Sequence, residues 1–548
     1  MIKKILFLVM LLTVSFLKAQ QFDPLKAKDT LAQNKWVDTL IYNMTIDEKI
    51  GQLFMVQAYS NKDDKHKEFI ASLIEKYHIG GLIFMQGTPE KQAELNNSFQ
   101  AKSKIPLLIG FDGEWGLDMR LKDTYRFPWN MTLGAIKDNS LITAFGVQVG
   151  QHCKRLGIHI NFAPVVDVNT NPENPIIGNR SFGENRDNVT DKALAFVQGM
   201  QSQHVLANAK HFPGHGDTAT DSHKLLPVLN FEIERLDSIE LYPYKKLFQN
   251  NLTSVMVAHL SVKALEPNVE LPTSLSEKVV TGLLKEKMGF HGLILTDALN
   301  MKGAANYAKP GEVDLAAFIA GNDMLLIPED VPAAVGKIKN ALSEEVLTEE
   351  RLNYSVKKIL KAKYWAGLNN FKPIELENLY EDLNSIKDEL LHRKLIENSI
   401  TLLKNESLVF PIQNLDKKKI AYVKLGDSEN VDFVEMLKNY TNVDVVSASN
   451  LYELITKLKR YNLVIVGYHK SNSNPWKSFK FKETELVWLQ EIARTNTVIL
   501  DVFASPYSLL QLKTFENING LLMSYQNSKL SQEISAQMIF GAIETRGK

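Results

Sequence analysis

The fourteen residues from Lys210 to His223 contain an unusual density of side chains that can do acid–base chemistry. They include one cation, three histidines and two carboxylates, namely Lys210, His211, His215, Asp217, Asp221 and His223. Two glycines and a proline in this segment favour a non-helical backbone. The preceding apolar run, residues 205–209, predicts a short buried strand. The cluster is therefore expected at the carboxyl end of a strand, where α/β barrels place their chemistry.

Asp297 is a second candidate for chemistry. It directly follows the apolar run Ile294-Leu295-Thr296, so its carboxylate is expected at the mouth of a barrel. A carboxylate there can act as a nucleophile. The alternative is a structural role, in which Asp297 caps a helix that begins near Ala298.

A hydrolysis that passes through a covalent intermediate on Asp297 also needs a group that protonates the leaving atom and later activates water. In a loop, residues two apart can face the same way, so Asp221 can orient the His223 ring and set its tautomer. Histidine titrates near neutral pH, which suits an acid that must become a base. The alternative is a structural histidine bonded to a backbone carbonyl. A metal site is not indicated, since the spacing matches no zinc pattern and Lys210 would oppose a cation.

Further polar residues follow the other predicted strands. Asp112 and Arg120 lie after the third apolar run, Arg180 lies in the loop after the fourth, and Lys210 and His211 follow the fifth. Together they supply both hydrogen-bond donors and acceptors, which a neutral ligand with many hydroxyl groups requires.

Eight short apolar runs between residues 50 and 330 predict the elements that position these side chains. Runs of this kind, without alternation, are typical of parallel strands covered on both faces. With helix-compatible segments between them, they predict a (β/α)₈ barrel over residues 20–370. The runs are Leu53–Val56, Gly81–Phe84, Leu107–Gly110, Ile160–Ala163, Val205–Ala207, Val255–Val257, Leu293–Leu295 and Met324–Ile327.

A second domain is predicted after a break in composition. Residues 371–392 carry many charges without a β pattern and are interpreted as a linker. From 393 to 548 five further apolar runs alternate with helical patterns, which predicts a smaller α/β sandwich. The chain carries neither a dinucleotide nor a phosphate-loop fingerprint, so no cofactor is expected.

Composition excludes several classes of partner. Lys plus Arg and Asp plus Glu both number 63, so no nucleic-acid or membrane-surface partner is indicated. The single Cys153 excludes an internal disulfide. Two lysines, a 13-residue apolar run and Ala19 predict a signal peptide over residues 1–19, and hence a periplasmic or secreted protein without stable membrane insertion after cleavage.

These motifs resemble glycoside hydrolase family 3, in its β-N-acetylglucosaminidase branch, over about residues 30 to 545. The segments that carry the resemblance are Lys210–Gly216 with Asp221-Ser222-His223 and Pro227, Ile294–Leu299, and Asn161–Asp167. The resemblance implies that His223 is the general acid/base on a mobile loop, Asp221 its partner and Asp297 the nucleophile. It further implies that the sugar hydroxyls are held by Asp112, Arg120, Arg180, Lys210 and His211, with Asp167 structural.

The expected activity is that of a retaining exo-β-N-acetylglucosaminidase that removes terminal N-acetylglucosamine from peptidoglycan fragments or chitin-like oligosaccharides. Two alternatives share the scaffold: a phosphorylase, because a neutral histidine repels phosphate less than a carboxylate would, and a β-glucosidase or β-xylosidase. A carbohydrate-binding protein without catalysis is disfavoured by the presence of both Asp297 and His223.

Overall fold

The computed structural model describes residues 23–221 and 225–548. The predicted signal peptide, residues 1–19, lies outside these residues, and so does His223.

The predicted barrel is confirmed as an eight-stranded parallel sheet in the order β10-β1-β2-β3-β4-β5-β7-β9, while β6 and β8 pair separately. A parallel bridge between Leu295 and Met324 joins its two outer strands. Each predicted apolar run coincides with one strand of this sheet. The strands are β1 (Phe54–Ala58), β2 (Gly81–Phe84), β3 (Leu108–Phe111), β4 (Ile160–Asn161), β5 (Leu206–Phe212), β6 (Val228–Leu229), β7 (Ser254–Val257), β8 (Ser261–Val262), β9 (Leu293–Thr296) and β10 (Leu325–Leu326).

Helices cover the outside of this barrel. Because both faces of the strands are covered, β2, β3, β7 and β9 are buried along their whole length, which accounts for their mainly apolar sequences. The helices are Thr30–Asn43, Ile46–Gly51, Asp64–Tyr77, Pro89–Lys102, Asn130–Gly134, Asn139–Arg155, Arg186–Ser202, Ile233–Ser238, Tyr242–Gln249, Lys302–Ala305, Glu312–Ala320, Val331–Ser343 and Glu349–Trp365, with a π-helix at Lys278–Lys287 and short 3₁₀ turns at Leu117–Met119, Gly178–Arg180, Thr273–Leu275 and Leu368–Asn370.

Residues 371–392, interpreted above as a linker, contain helical structure. Helix Leu379–Leu383 lies within this segment, and helix Ile386–Ser399 begins in it. The second helix starts with a capping box between Ser385 and Asp388. Leu379, Leu383 and Leu395 are buried in the same apolar cluster as the barrel. The segment is therefore packed onto the first domain.

The second domain is a six-stranded sheet in the order β11-β16-β15-β14-β12-β13, in which only β11 is antiparallel to its neighbour. Separate apolar clusters lie on its two faces, so the predicted α/β sandwich is confirmed. Its elements are β11 (Thr401–Asn405), β12 (Ile420–Gly426), β13 (Val443–Val445), β14 (Leu463–His469), β15 (Val498–Phe503) and β16 (Gly520–Met523), helices Val431–Lys438, Leu451–Leu458, Glu483–Thr495 and Lys529–Ile539, and 3₁₀ turns Glu406–Leu408, Leu415–Lys417 and Pro506–Gln511.

Buried polar contacts join the two domains. Gln526, just after β16, accepts hydrogen bonds through Oε1 from the backbone N of Trp129 (2.7 Å) and from Thr132 Oγ1 (2.9 Å). Tyr507 and Asn169 form a second contact, in which Asn169 Nδ2 donates to the tyrosine hydroxyl at 2.9 Å. These contacts bring the second domain against the loops at the carboxyl ends of the barrel strands.

Candidate active site

A cavity of about 660 Å³ opens at the carboxyl ends of the barrel strands. Seven of the eight residues predicted for the site line it, namely Asp112, Arg120, Arg180, Lys210, His211, Asp221 and Asp297. The eighth, His223, lies outside the described residues. Segments that are far apart in sequence therefore meet around one cavity, as a barrel requires of strand ends.

Two cations hold Asp112 in place. Its Oδ2 accepts from Arg120 Nη2 at 2.5 Å and its Oδ1 from Lys210 Nζ at 2.9 Å. Burial alone would raise the pKa of Asp112, but the positive charges of Lys210 and Arg120 outweigh it and hold the pKa well below its usual range. Asp112 is therefore an anionic acceptor whose position is fixed before any ligand arrives.

Glu114 extends this network, and the sequence did not reveal its importance. Its carboxylate accepts two bonds from Arg180, at 2.6 Å to Nη2 and 2.9 Å to Nε, and lies 2.9 Å from Lys210 Nζ. Burial raises its pKa, but Arg180 and Lys210 more than reverse this and lower the pKa to about 2. The same pairing raises the pKa of Arg180, against the effect of its own burial. The carboxylates of Asp112 and Glu114 thus balance only part of the positive charge of Arg120, Arg180 and Lys210. The cluster keeps a formal positive charge.

The local fold explains why charged side chains can sit so deep. Lys210 and His211 belong to β5, which is buried along all seven of its residues, and the Lys210 side chain is only 3% exposed. A buried ammonium is tolerated here because Asp112 and Glu114 both accept from it. Gly216 lets the loop after β5 pass close to the loop after β4, since a Cβ there would lie 2.0 Å from the Val168 carbonyl oxygen.

Asp167 holds the two histidines of this segment. Its Oδ2 accepts from His211 Nδ1 at 2.7 Å, and its Oδ1 accepts from the backbone N of His215 at 2.7 Å. The carboxylate can only accept, so His211 carries its proton on Nδ1 and keeps Nε2 for a ligand in the cavity. Burial lowers the pKa of His215 to about 4, assisted by the neighbouring His211.

Asp297 follows β9 and is half-buried at the cavity. Its backbone N donates to the Val257 carbonyl at 2.9 Å, and its Oδ1 accepts from the backbone N of Ala298 at 2.8 Å. The next helix begins at Lys302 with Met301 as its N-cap, so the alternative role of Asp297 as a helix cap near Ala298 is wrong. The carboxylate is thus oriented towards the cavity without serving a helix.

The loop after β5 that carries Asp221 is supported by the preceding barrel loop. Thr170 Oγ1 donates to Asp217 Oδ1 at 2.7 Å, and Asn174 Nδ2 donates to the His215 carbonyl at 2.8 Å. Residues 170–174 therefore fix the first half of the loop that leads to Asp221 and His223.

The second domain also contributes to the cavity. Trp476, in the loop between β14 and helix Glu483–Thr495, lines it, and its Nε1 donates to the Ile176 carbonyl at 3.1 Å. By contrast, His259, which follows β7, is fully buried between Ser274 Oγ (2.6 Å) and the Ala298 carbonyl (3.0 Å). Trp115, in the turn after β3, is buried and is not among the residues lining the cavity.

Among residues 23–221 and 225–548, no group of three acidic, histidine or cysteine side chains is arranged to hold a metal ion. In the same part of the chain, no helix is both long enough and apolar enough to cross a membrane.

A parallel barrel whose strand ends bring carboxylates together around one cavity has the arrangement that an enzyme cleaving glycosidic bonds requires. Residues 45–362 match the model of the glycosyl hydrolase family 3 N-terminal domain. The chain belongs to glycoside hydrolase family 3 and is a glycoside hydrolase with a carbohydrate substrate.

Individual relatives agree with this assignment. A β-N-acetylglucosaminidase/β-glucosidase of Cellulomonas fimi is 30% identical over 385 residues, covering 69% of this chain and 68% of the relative. A β-hexosaminidase A of Pseudoalteromonas piscicida is 30% identical over 405 residues, covering 68% and 67%. The structure of a family 3 β-N-acetylglucosaminidase from a Paenibacillus strain superposes with a TM-score of 0.76 at 27% identity, covering 92% of this chain and 98% of that one.

Proposed function

We propose that the protein is an exo-acting, retaining β-N-acetylglucosaminidase. The names of the relatives support the choice of sugar, since two relatives that match over two thirds of this chain are a β-N-acetylglucosaminidase/β-glucosidase and a β-hexosaminidase. The observation that carries the proposal is that Asp297 and Asp221 line one cavity together with Asp112, Arg180 and Lys210. Glu114 pairs with Arg180 and Lys210 behind this lining.

In the proposed reaction, Asp297 attacks the anomeric carbon and forms a covalent glycosyl-enzyme. His223 protonates the departing glycosidic oxygen and then takes a proton from the water that releases the sugar. Asp221 orients the His223 ring and stabilises its protonated form. Glycosyl transfer to water regenerates the Asp297 carboxylate, so atoms and charges balance over the two steps.

The charged cluster holds the sugar. Asp112 offers carboxylate oxygens to hydroxyl protons, while Arg120, Lys210 and Arg180 donate to hydroxyl oxygens. Because the carboxylate–cation contacts do not depend on a ligand, little rearrangement is needed on binding, and orientation is gained at low entropic cost. A terminal sugar held at the cavity floor leaves the rest of the chain at the mouth, which is the geometry of an exo-acting enzyme.

The first experiment measures hydrolysis of nitrophenyl β-N-acetylglucosaminide, β-glucoside and β-xyloside by wild type and by Asp297→Ala. We expect activity mainly on the first substrate and a loss of at least about a thousandfold in kcat for the variant. Proton NMR of the first-formed sugar is expected to show the β-anomer. Equal rates for the variant and wild type, or an α-anomer as first product, would overturn the assignment of Asp297.

The acid/base is tested with His223→Ala. A nitrophenyl leaving group needs little protonation, so glycosylation is expected to stay fast while release slows, giving a burst of nitrophenol followed by slow turnover. A disaccharide needs protonation and is expected to lose activity in the first step. His204→Ala, at an exposed histidine outside the cavity, is the matched control. Each assay is repeated with and without phosphate, because formation of a sugar 1-phosphate would instead identify a phosphorylase.

We further propose that residues 1–19 are a cleaved signal peptide and that the enzyme acts in the periplasm or outside the cell, on peptidoglycan fragments or chitin-like oligosaccharides. The supporting features are the basic start, the apolar run and Ala19. Mass spectrometry of the N-terminus of the exported protein tests this: a mature chain that begins at or near Gln20 is expected, and retention of Met1 would contradict it.

A further inference from the structure

We propose that Arg235 and Glu240 are positioning residues, which hold the loop after β5 in the place where Asp221 serves the reaction. Neither residue is among those lining the cavity, so both act through residues 213–221 of this loop. The inference rests on the proposed function, because it assumes that the loop carries the acid/base pair of Asp221 and His223. It adds to that function two residues outside the cavity.

An ion pair between Arg235 and Glu240 lies against this loop. Arg235 belongs to helix Ile233–Ser238, and Glu240 lies in the turn that follows it. Arg235 Nη1 donates to both carboxylate oxygens of Glu240, at 2.7 and 2.8 Å. The Glu240 side chain is only 2% exposed, and that of Arg235 is 30% exposed. Because a carboxylate buried to this extent depends on its cation, the position of one side chain fixes that of the other.

Thr170 connects Arg235 to the middle of the loop. Arg235 Nη2 donates to Thr170 Oγ1 at 3.3 Å, and Thr170 Oγ1 donates to Asp217 Oδ1 at 2.7 Å. A guanidinium can only donate and a carboxylate can only accept, so the single hydroxyl proton of Thr170 points at Asp217. Arg235 therefore fixes the direction of a hydrogen bond that ends four positions before Asp221 along the chain.

Glu240 supports the start of the same loop directly. Gly214 lies two positions after the end of β5 and has a φ of +148°, and a Cβ there would lie 2.7 Å from both Cβ and Cγ of Glu240. The backbone of Gly214 therefore packs on the Glu240 side chain at a distance that only glycine permits. The ion pair thus contacts the loop at two points, directly at Gly214 and through Thr170 at Asp217. Two contacts fix the orientation of the loop as well as its distance from the barrel.

The charge of the pair depends on pH in the neutral range. Burial raises the pKa of Glu240 to about 7; the negative charge of Asp217 contributes to this rise, whereas Arg235 opposes it. Above this pH, Glu240 and Arg235 form a charged pair. Below it, Glu240 is protonated and its contact with Arg235 weakens to a hydrogen bond of a neutral group. Glu240→Gln is neutral at every pH and therefore resembles the protonated state of wild type.

The first test compares two substrates that differ in their need for an acid. For Arg235→Gln we expect kcat/KM on a disaccharide of two N-acetylglucosamine units to fall about tenfold, because the leaving oxygen must be protonated from the loop. On nitrophenyl β-N-acetylglucosaminide, kcat/KM reports the attack by Asp297, which needs little protonation, and is expected to change less than about twofold. A loss of the same factor on both substrates, or no loss on either, would overturn the positioning role.

The second test uses pH, which a purely structural role would not involve. The ratio of kcat/KM on the disaccharide, Glu240→Gln over wild type, is measured between about pH 5 and 9. We expect a ratio near one below about pH 6, where Glu240 in wild type is itself neutral, and a fall to about one fifth above pH 8. A ratio that is the same at every pH, whether low or near one, would contradict the proposal.

Thr170→Val tests the connection between Arg235 and the loop with a change of similar shape. It is expected to reproduce the substrate dependence of Arg235→Gln, and the double variant should lose no more than the weaker of the two single variants, because the contacts act in series. If Arg235→Gln fails to fold by circular dichroism, Thr170→Val alone decides. Additive losses in the double variant would contradict the connection.

Lys245→Gln is the matched control for breaking an ion pair in this region. Lys245 pairs with Asp237 at 2.5 Å, but both side chains are well exposed, so we expect neither substrate to be affected. Failure of the proposed function has a different signature: wild type would cleave neither substrate, or His223→Ala would leave both rates unchanged. With His223→Ala impaired and Arg235→Gln unimpaired, the proposed function stands and only the positioning role is lost.

Discussion

Glu114 offers the sharpest test of the charged cluster, because replacing it with glutamine keeps the shape and removes the charge. The side chain is 1% exposed and accepts from Arg180 and Lys210, both of which are also buried. In Glu114→Gln, the NH₂ group of the new amide would face the N–H donors of Arg180 and Lys210. Asp112 would remain as the main counter-ion of the three cations. Removing one partner of a buried ion pair typically costs about 3–5 kcal/mol.

The lowered pKa of Glu114 indicates a cost of the same order for removing its charge. A fall from 4.5 to about 2 corresponds to about 3 kcal/mol of preference for the charged form in the folded protein. Because this pKa is depressed on folding, the stabilisation is fully present above pH 4.5 and is lost as the pH falls towards 2. We therefore expect Glu114→Gln to destabilise the barrel by about 3 kcal/mol at pH 7, and by progressively less below pH 4.5.

The assay is urea denaturation of wild type and variant across this pH range, followed on the transition that belongs to the barrel. Glu453→Gln is the matched control, since the pKa of Glu453 is also lowered to about 2 but its bond to Lys457 is on the surface and screened by solvent. No measurable change is expected there. If both variants unfold like wild type at pH 7, the reasoning from burial is refuted.

Three further outcomes are expected. Asp167→Asn should lower kcat/KM about tenfold or more with little change in fold, because His211 loses a charged acceptor; steady-state kinetics and circular dichroism check this. A circular-dichroism spectrum of the D297A variant should match that of wild type, which separates lost chemistry from lost structure. Burial lowers the pKa of Lys363 to about 7, so its charge is disfavoured in the folded barrel. Lys363→Met should therefore raise Tm, most at pH 6 and least near pH 10, by differential scanning calorimetry.

The sequence predicted the barrel well because its strands are buried on both faces. Runs such as Leu293–Leu295 need no partner information to be recognised as strands of this kind. The short pair β6 and β8 was not predicted, since two residues each carry no pattern. Helix Ile386–Ser399 was missed for another reason: its exposed face is so charged that the buried positions Leu395 and Ile396 do not stand out.

The sequence predicted the site residues that directly follow an apolar run along the chain. Asp297 and the segment from Lys210 to His223 stand at strand ends, and strand ends in a parallel barrel converge. Glu114 could have been found, because it is the second carboxylate in the turn after β3, but only the pairing with Arg180 gives it a role. Trp476 could not be found, because its partner Ile176 is 300 positions away in sequence.

The contacts of Gln526 with Trp129 and Thr132 have a thermodynamic consequence when they are combined with the position of Trp476. A ligand that touches both the barrel and the second domain binds only while the two are docked. By linkage, it must stabilise the docked arrangement, and above its Kd this stabilisation grows with the logarithm of the ligand concentration. A saturating ligand that reaches Trp476 is therefore expected to merge two separate unfolding steps into one cooperative transition, whereas a ligand confined to the cavity floor shifts only the step that belongs to the barrel.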